Sequence, residues 1–338
     1  MYSSKITVHR RPAVVFFFTL FSASVLLASS SKADYSQNPG AQEFVNRVVD
    51  EHGLEREGVI TLLASAQRQQ SIIDAISRPA EKAKPWFEYR GIFLTERRIR
   101  EGREFFAMHR ETLAKAQART GVPAEIIVAI LGVETYYGRI AGSYRVLDAL
   151  ATLAFDYPRR SKFFTQELEN FLLLTREQGL DPLVLKGSYA GAMGYGQFMP
   201  SSYRNYAVDF DEDGVADIWN NVEDAIGSVA NYLAKHGWRA GEPIVSAASA
   251  SASLDPELFK GGLKPSHTIE ELASEGLEPT QALLVGELGT PLRFELSDGE
   301  EYWIGLHNLY VITRYNHSSM YAMSVFQLSQ EIARAPLS

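Results

Sequence analysis

The stretch "AILGVETYYGR", Ala129 to Arg139, sets one carboxylate, Glu134, inside an apolar run of helical spacing. Counting back, Ile130 and Ile127 lie at i−4 and i−7, on the same helical face as Glu134. A carboxyl facing that stripe is shielded from water, and shielding raises its pKa towards the range of a general acid working near neutral pH. The competing structural reading is a buried ion pair with an arginine such as Arg139 or Arg159. Tyr136, Tyr137 and Gly138 follow at once, and "YAGAMGYGQFMP", Tyr189 to Pro200, interleaves glycine with aromatic residues. Aromatic planes beside small residues make a floor on which a sugar ring can lie. These glycines are not followed by Lys-Ser/Thr and no strand evidently precedes them, so they do not describe a phosphate cradle.

A second constellation is "DFDEDGVADIWNNVED", Asp209 to Asp224. Asp209, Asp211 and Asp213, with Gly214 in the sixth place and the carbonyl of Val215 in the seventh, match the first half of an EF-hand loop. Three carboxylates at this spacing repel one another unless a cation sits among them. Calcium is the expected ion and sodium the alternative; Asn220 stands in the twelfth place, where a bidentate Glu is usual, which favours a structural ion over a sensor. Asp217 and Glu223 are further oxygen donors within reach. Other chemistries are excluded by absence: the 7 histidines form no His-Glu-x-x-His pattern, no Gly-x-Ser-x-Gly elbow occurs, and without cysteine there are no disulfides, thiolate sites or lipidated N-terminal Cys.

The elements that must position these groups are mostly helical. "EFVNRVVDEHG", "GVITLLASAQ", "QSIIDAISRPA" and "EFFAMHRETLAKAQARTGVP" each have the spacing of one amphipathic helix closed by Gly or Pro, and "VEDAIGSVANYLAKHGW" is another, ending near Gly237. After Gly241 the texture becomes small, polar and turn-rich. "QALLVGEL", "PLRFEL" and "EYWIGLHNLYVITRY" have strand texture, the Ala/Ser run Ser246 to Ser253 is expected as a loop, and "MYAMSVFQLSQEIARA" as a final helix. At the other end, Lys5, Arg10 and Arg11 precede an apolar run and Ser31-Lys32-Ala33 offers small residues for cleavage, so residues 1–33 read as a secretory signal. Removing it takes four cations and no acid, moving the formal charge from −8 to −12. So acidic a chain does not bind nucleic acid, and it meets an anionic substrate only through a local basic patch. Arg159-Arg160 is one candidate; "TERRIREGR", Thr95 to Arg103, is expected as a solvated helix face.

Four motifs in register, "GVETYYG", "GSYAGAMGYGQFMPSSY", "DAIGSVANYLAKHGW" and "YVITRYNHSSMYAMSVFQL", resemble the lytic transglycosylase B family, bacterial enzymes that cut peptidoglycan. The resemblance spans about two hundred residues of this chain. It implies an α+β, mainly helical fold. A helical lobe (34–115), a lysozyme-like catalytic core (116–240) with the EF-hand-like loop 209–224, and a small β-rich lobe (241–306) precede a C-terminal segment (307–338) that returns to the core.

Carried onto this sequence, the family's catalytic acid falls on Glu134. Its substrate-site residues fall on Tyr89, Arg159, Arg160, Ser188, Gln197, Tyr232, Tyr315, Asn316 and Tyr321, and an Asp just before "AIG", here Asp224, closes its cation loop. Arg159 and Arg160 would meet stem-peptide carboxylates. The implied reaction cuts the bond between N-acetylmuramic acid and N-acetylglucosamine with formation of an anhydromuramoyl end, in a periplasmic, exported and monomeric enzyme. No organic cofactor is needed; the partners are glycan strands, stem peptides and proteins of wall synthesis or division. The rivals are a hydrolytic muramidase on the same scaffold and a non-catalytic wall-binding protein.

Overall fold

The computed structural model describes residues 34–77, 84–284 and 286–334; the expected signal segment lies outside them. The chain opens with α1 (Pro39–His52), α2 (Arg56–Ser65) and α3 (Gln70–Ser77). Asn38 starts α1 by accepting from the amides of Gly40 and Ala41, and Gly53 ends it at φ 60°. Then come α4 (Trp86–Phe93), α5 (Glu96–Met108), α6 (Arg110–Thr120) and α7 (Ala124–Thr135). The run "EFFAMHRETLAKAQART", expected as one helix, is broken at His109 into α5 and α6; both pack on α7, but α5 also packs on the helix Ser319–Ala333 and α6 on the helix Val222–Lys235.

Between α6 and α7 the chain turns through 112°. Gly121, at φ 72°, supplies the left-handed residue, and the side chain of Gln117 accepts from the amide of Ala124, capping the new helix. Residues Ile126 to Leu131 of α7 are all buried to within 1% exposure, so the helix is apolar on every side rather than along one stripe. It is enclosed by α5, α6, α11 (Val222–Lys235) and the last helix, α14 (Ser319–Ala333).

Two further helices, α8 (Val146–Asp156) and α9 (Ser161–Glu177), pack against each other and join the same core. Short strands β1 (Tyr144–Arg145) and β2 (Lys186–Gly187) pair antiparallel ahead of the glycine segment, and α10 (Pro200–Tyr206) follows it. The remaining strands, β3 (Val245–Ala250), β4 (His267–Thr268), β5 (Leu277–Pro279), β6 (Leu288–Glu295) and β7 (Glu300–Gly305), form a sheet in the order β4-β6-β7-β3-β5, antiparallel throughout. Together with α12 (Ile269–Ser274) it closes over a small apolar cluster of Leu258, Ile269, Leu272, Leu277, Ile304 and Leu306.

Three sequence expectations fail here. The Ala/Ser run is not a loop: Val245–Ala250 is an inner strand, and its small side chains let it lie between β7 and β5. Among the described residues of "QALLVGEL", none before Leu288 is in a strand; β6 starts there. "HNLYVITRY" is a helix, α13 (His307–Tyr315), because burial of Asn308, Leu309, Val311 and Ile312 follows helical spacing once the chain leaves the sheet at Gly305.

Asp148, on α8, is 5% exposed; it accepts from the Gln67 amide at 2.8 Å and pairs with Arg145 at 2.6 Å, tying the α2–α3 connection to the core. Asp148→Ala removes the buried acceptor that the Gln67 amide and the Arg145 guanidinium share. Urea unfolding should show a loss of about 2–4 kcal/mol, whereas the same change at exposed Asp181 should cost less than about 0.5 kcal/mol.

Candidate active site

Glu134 stands one residue before the end of α7. Beyond Thr135 the backbone runs left-handed through Tyr136, Tyr137 and Gly138, at φ 54°, 60° and 88°. Such a turn is unfavourable for two non-glycine residues in succession, so surrounding contacts must hold it. Thr135 Oγ1 donates to the Tyr195 carbonyl at 2.8 Å and accepts from the Gly138 amide at 2.9 Å. Tyr137 donates its hydroxyl to the Arg98 carbonyl at 2.8 Å, with its ring in a slot where a Cβ on Gly132 would stand 2.7 Å from it. The turn therefore aims Glu134 from a rigid end.

Three phenols surround that carboxylate. Tyr321, on α14 and 2% exposed, donates to Glu134 Oε1 at 2.6 Å. Tyr315, at the end of α13, donates to the Gly196 carbonyl at 2.5 Å, and burial followed by the Glu134 charge lifts its pKa well above the usual tyrosine value. Tyr89, on α4, is raised by the same two causes in the same order. All three rings consequently stay protonated and act as donors. Glu134 is half-buried, and its pKa is pushed up to about 7 by burial, with the Tyr321 hydrogen bond working in the opposite direction. No second acid contributes to that shift.

The ion-pair alternative does not hold. Arg139 turns to Glu101, at 2.7 Å, and Arg159 lies exposed on the turn Pro158–Arg160; among the described residues no cation pairs with Glu134.

The other expected site residues occupy less direct places. Ser188 Oγ accepts from the amides of Ala190 and Ala192, fixing the first turn of the glycine segment. Gln197, at φ 51°, donates through Nε2 to the carbonyls of Ala141 and Gly194, and its Oε1 has no partner among the described residues. Tyr232, 7% exposed, donates to the Arg314 carbonyl at 2.6 Å and sets its ring 4.7 Å from that of Tyr315, backing it from behind. Asn316 is exposed at the end of α13. Arg159 and Arg160 are likewise exposed, Arg160 lying 4.3 Å over the Phe163 ring, and neither side chain touches Glu134 or its phenols.

Thr135 and Tyr195, which brace the turn, escaped sequence reading because their link runs from a side chain to a backbone carbonyl 60 residues away. The one available signal was their position, inside the two motifs that carry the site.

In the acidic loop, Asp209, Asp211 and Asp213 each offer a carboxylate oxygen, all within 4.8 Å of one another. Glu212 and Gly214 take the left-handed conformation, at φ 69° and 103°, which folds the three carboxylates inward. The donor set is all oxygen, as a hard cation requires. Asp224 departs from expectation. It is fully buried and accepts from the Phe210 and Asp217 amides, at 2.6 and 2.7 Å, so it braces the loop from beneath instead of joining the acidic cluster. Asn221 reaches Asp211 from the other end, at 2.8 Å.

Residues 36–330 match the Transglycosylase SLT domain. The membrane-bound lytic murein transglycosylase B of Escherichia coli is 46% identical over 311 residues, covering 89% of this chain and 85% of that protein. The crystal structure of the catenated lytic transglycosylase SltB1 from Pseudomonas aeruginosa has a TM-score of 0.87 at 53% identity, over 89% of this chain and 99% of that one. The Escherichia coli lytic transglycosylase Slt35, solved in complex with calcium, has a TM-score of 0.82 at 46% identity, over 89% of this chain and 94% of that one.

Two outcomes follow from the raised carboxyl. Its folded pKa lies above the unfolded value of 4.5, so its share of stability is complete below that value and lost as pH rises through about 7. Glu134→Gln should therefore be the more stable form above pH 7, by a margin on the order of 3 kcal/mol or less, and the margin should vanish in acid when thermal midpoints are compared. In Tyr321→Phe the hydrogen bond that lowers the pKa is gone, and the carboxyl should titrate at higher pH than in the parent protein.

Proposed function

Because the chain belongs to the Transglycosylase SLT family and is a lytic murein transglycosylase, a lyase of peptidoglycan, we propose that Glu134 serves its reaction as both acid and base. Protonated Glu134 gives its proton to the oxygen linking N-acetylmuramic acid to N-acetylglucosamine, and the bond from muramoyl C1 to that oxygen breaks. The C6 hydroxyl oxygen of the same muramoyl ring then bonds to C1, and the Glu134 carboxylate takes the hydroxyl proton. The acid is thereby restored, and neither water nor a net proton is consumed.

The observation that carries this reading is one carboxyl held near pH 7 with no acid partner contributing to its shift. Glycosidases that work through a pair of carboxylates need the second group as nucleophile or as base for water; an internal hydroxyl needs neither.

Tyr321 would orient the carboxyl, Tyr89 and Tyr315 would line the sugar beside it, and Tyr232 would support Tyr315. Ser188, Gln197 and Asn316 would hold substrate polar groups, with the unpartnered Oε1 of Gln197 as an acceptor for a sugar hydroxyl or amide. Arg159 and Arg160 would meet stem-peptide carboxylates. Asp209, Asp211, Asp213 and the Val215 carbonyl would hold a structural calcium ion, in keeping with a relative solved with calcium. The substrate is a wall polymer, so the site of action we assign is the periplasm.

Mass spectrometry of muropeptides released from purified sacculi tests the reaction. Anhydromuramoyl ends are expected; reducing ends alone would make the enzyme a hydrolase. Glu134→Gln should lower the rate by about a thousandfold or more while binding to sacculi persists. For the loop, calcium should raise the thermal midpoint by a few degrees, and Asp209→Asn with Asp211→Asn should remove the response.

A further inference from the structure

The arginine-rich stretch Thr95 to Arg103 is not only a solvated face. Its Arg98 guanidinium lies 4.6 Å from the centroid of the Tyr136 ring, Arg97 lies 5.8 Å from the same ring, and Arg139, from the far side of the catalytic turn, lies 5.7 Å away. Tyr136 is the second residue after Glu134. The cluster also reaches the site by a second route: Arg98 stacks 5.2 Å over Phe93, Phe93 packs 5.3 Å from Tyr89, and the Tyr89 phenol senses the Glu134 charge.

One acid pairs with two of the three cations. Glu101, whose side chain is 9% exposed, takes Arg97 at 2.9 Å and Arg139 at 2.7 Å. The outer faces of those two guanidiniums stay open, with 67% and 52% of their side chains exposed. Arg98 Nη1 donates to the Ile92 carbonyl, while its Nε is buried without a partner. In a chain of net charge −8, this is a local surplus of positive charge held rigid against an aromatic ring at the rim of the catalytic turn.

We propose that Arg97, Arg98 and Arg139, arrayed around Tyr136, form a subsite for the carboxylates of a stem peptide carried on the glycan beside the scissile bond. The inference rests on the lytic reading above. Carboxylate is the ligand chemistry that suits it: in a strand bearing intact stem peptides the lactyl group is tied up as an amide, so the anionic groups are the peptide's own. The planar, permanently charged fork of arginine binds carboxylate oxygens pairwise. All three guanidiniums stand 4.6–5.8 Å from the Tyr136 ring, whose face attracts cations.

The test compares soluble glycan strands carrying stem peptides with the same strands after amidation of their peptide carboxylates, which keeps the peptide and the lactyl amide but removes the negative charge. The variants are Arg97→Gln with Arg139→Gln, and the charge-balanced triple that adds Glu101→Gln so that no buried carboxylate loses its partners; Glu101→Gln alone is the control. On peptide-bearing strands both variants should raise KM about five- to tenfold with kcat unchanged, an effect that shrinks in high salt. On amidated strands the KM of both variants should equal that of the parent. An equal rise on both substrates, or no rise on either, overturns the subsite. If the parent enzyme yields no anhydromuramoyl product from either substrate, the lytic reading itself has failed; a parent that makes the product while the variants show no substrate preference refutes the subsite alone.

Discussion

The structure depends on keeping one carboxyl group out of water without giving it a counter-ion. Burial alone would lift the Glu134 pKa further; the Tyr321 hydroxyl moderates the lift by hydrogen bonding to Oε1, and the balance falls near 7. A guanidinium in the place of Tyr321 would hold the group ionised and destroy it as an acid. Polar company is therefore supplied by phenols, which donate hydrogen bonds but carry no charge, and the nearby arginines are turned away from Glu134, with Glu101 anchoring two of them. A catalytic carboxyl and a cationic rim coexist a few residues apart because Arg97 and Arg139 are held by Glu101 and all three guanidiniums lie against Tyr136, none of them pairing with Glu134.

That arrangement demands a rigid support, and the fold provides it in two ways. The helix carrying Glu134 is buried on nearly every side, so it cannot rotate to relieve the desolvated charge. Its end is a left-handed turn locked by Thr135, Tyr137 and the glycines that make room for aromatic rings: a Cβ on Gly138 would collide with Tyr195, and one on Gly196 would stand 2.8 Å from the Tyr315 hydroxyl. The glycine segment thus shapes the walls of the site by omission. Strain in the turn and the raised carboxyl are both costs set against the packing of the core, as is common where function fixes an unfavourable geometry.

Much of this was legible in the sequence because it follows from local pattern. A carboxylate in phase with Ile127 and Ile130, helices bounded by glycine and proline, and aspartates at every second place in a loop are signals that neighbours in the chain carry by themselves. What could not be read depends on partners far away. Val245–Ala250 is a strand because two other strands flank it, since its side chains are too small to announce a buried face. "HNLYVITRY" has β-branched and aromatic texture, yet packing makes it a helix. Asp224 looked like the residue that closes the ion loop, but two backbone amides needed an acceptor in a place without water, and they claimed it. The same limit applied to Tyr321: its motif drew attention to it, while its bond to Glu134 spans 187 residues.

Glu134 is a carboxylic acid that is still about half protonated near pH 7. Infrared difference spectroscopy of the parent protein against Glu134→Gln, followed from pH 4 to pH 9, observes that group directly through its protonated carboxyl stretch. One carboxyl band, absent from the variant, should fade with a midpoint near 7. A band that has already gone by pH 5, the behaviour of an ordinary exposed glutamate, would contradict it.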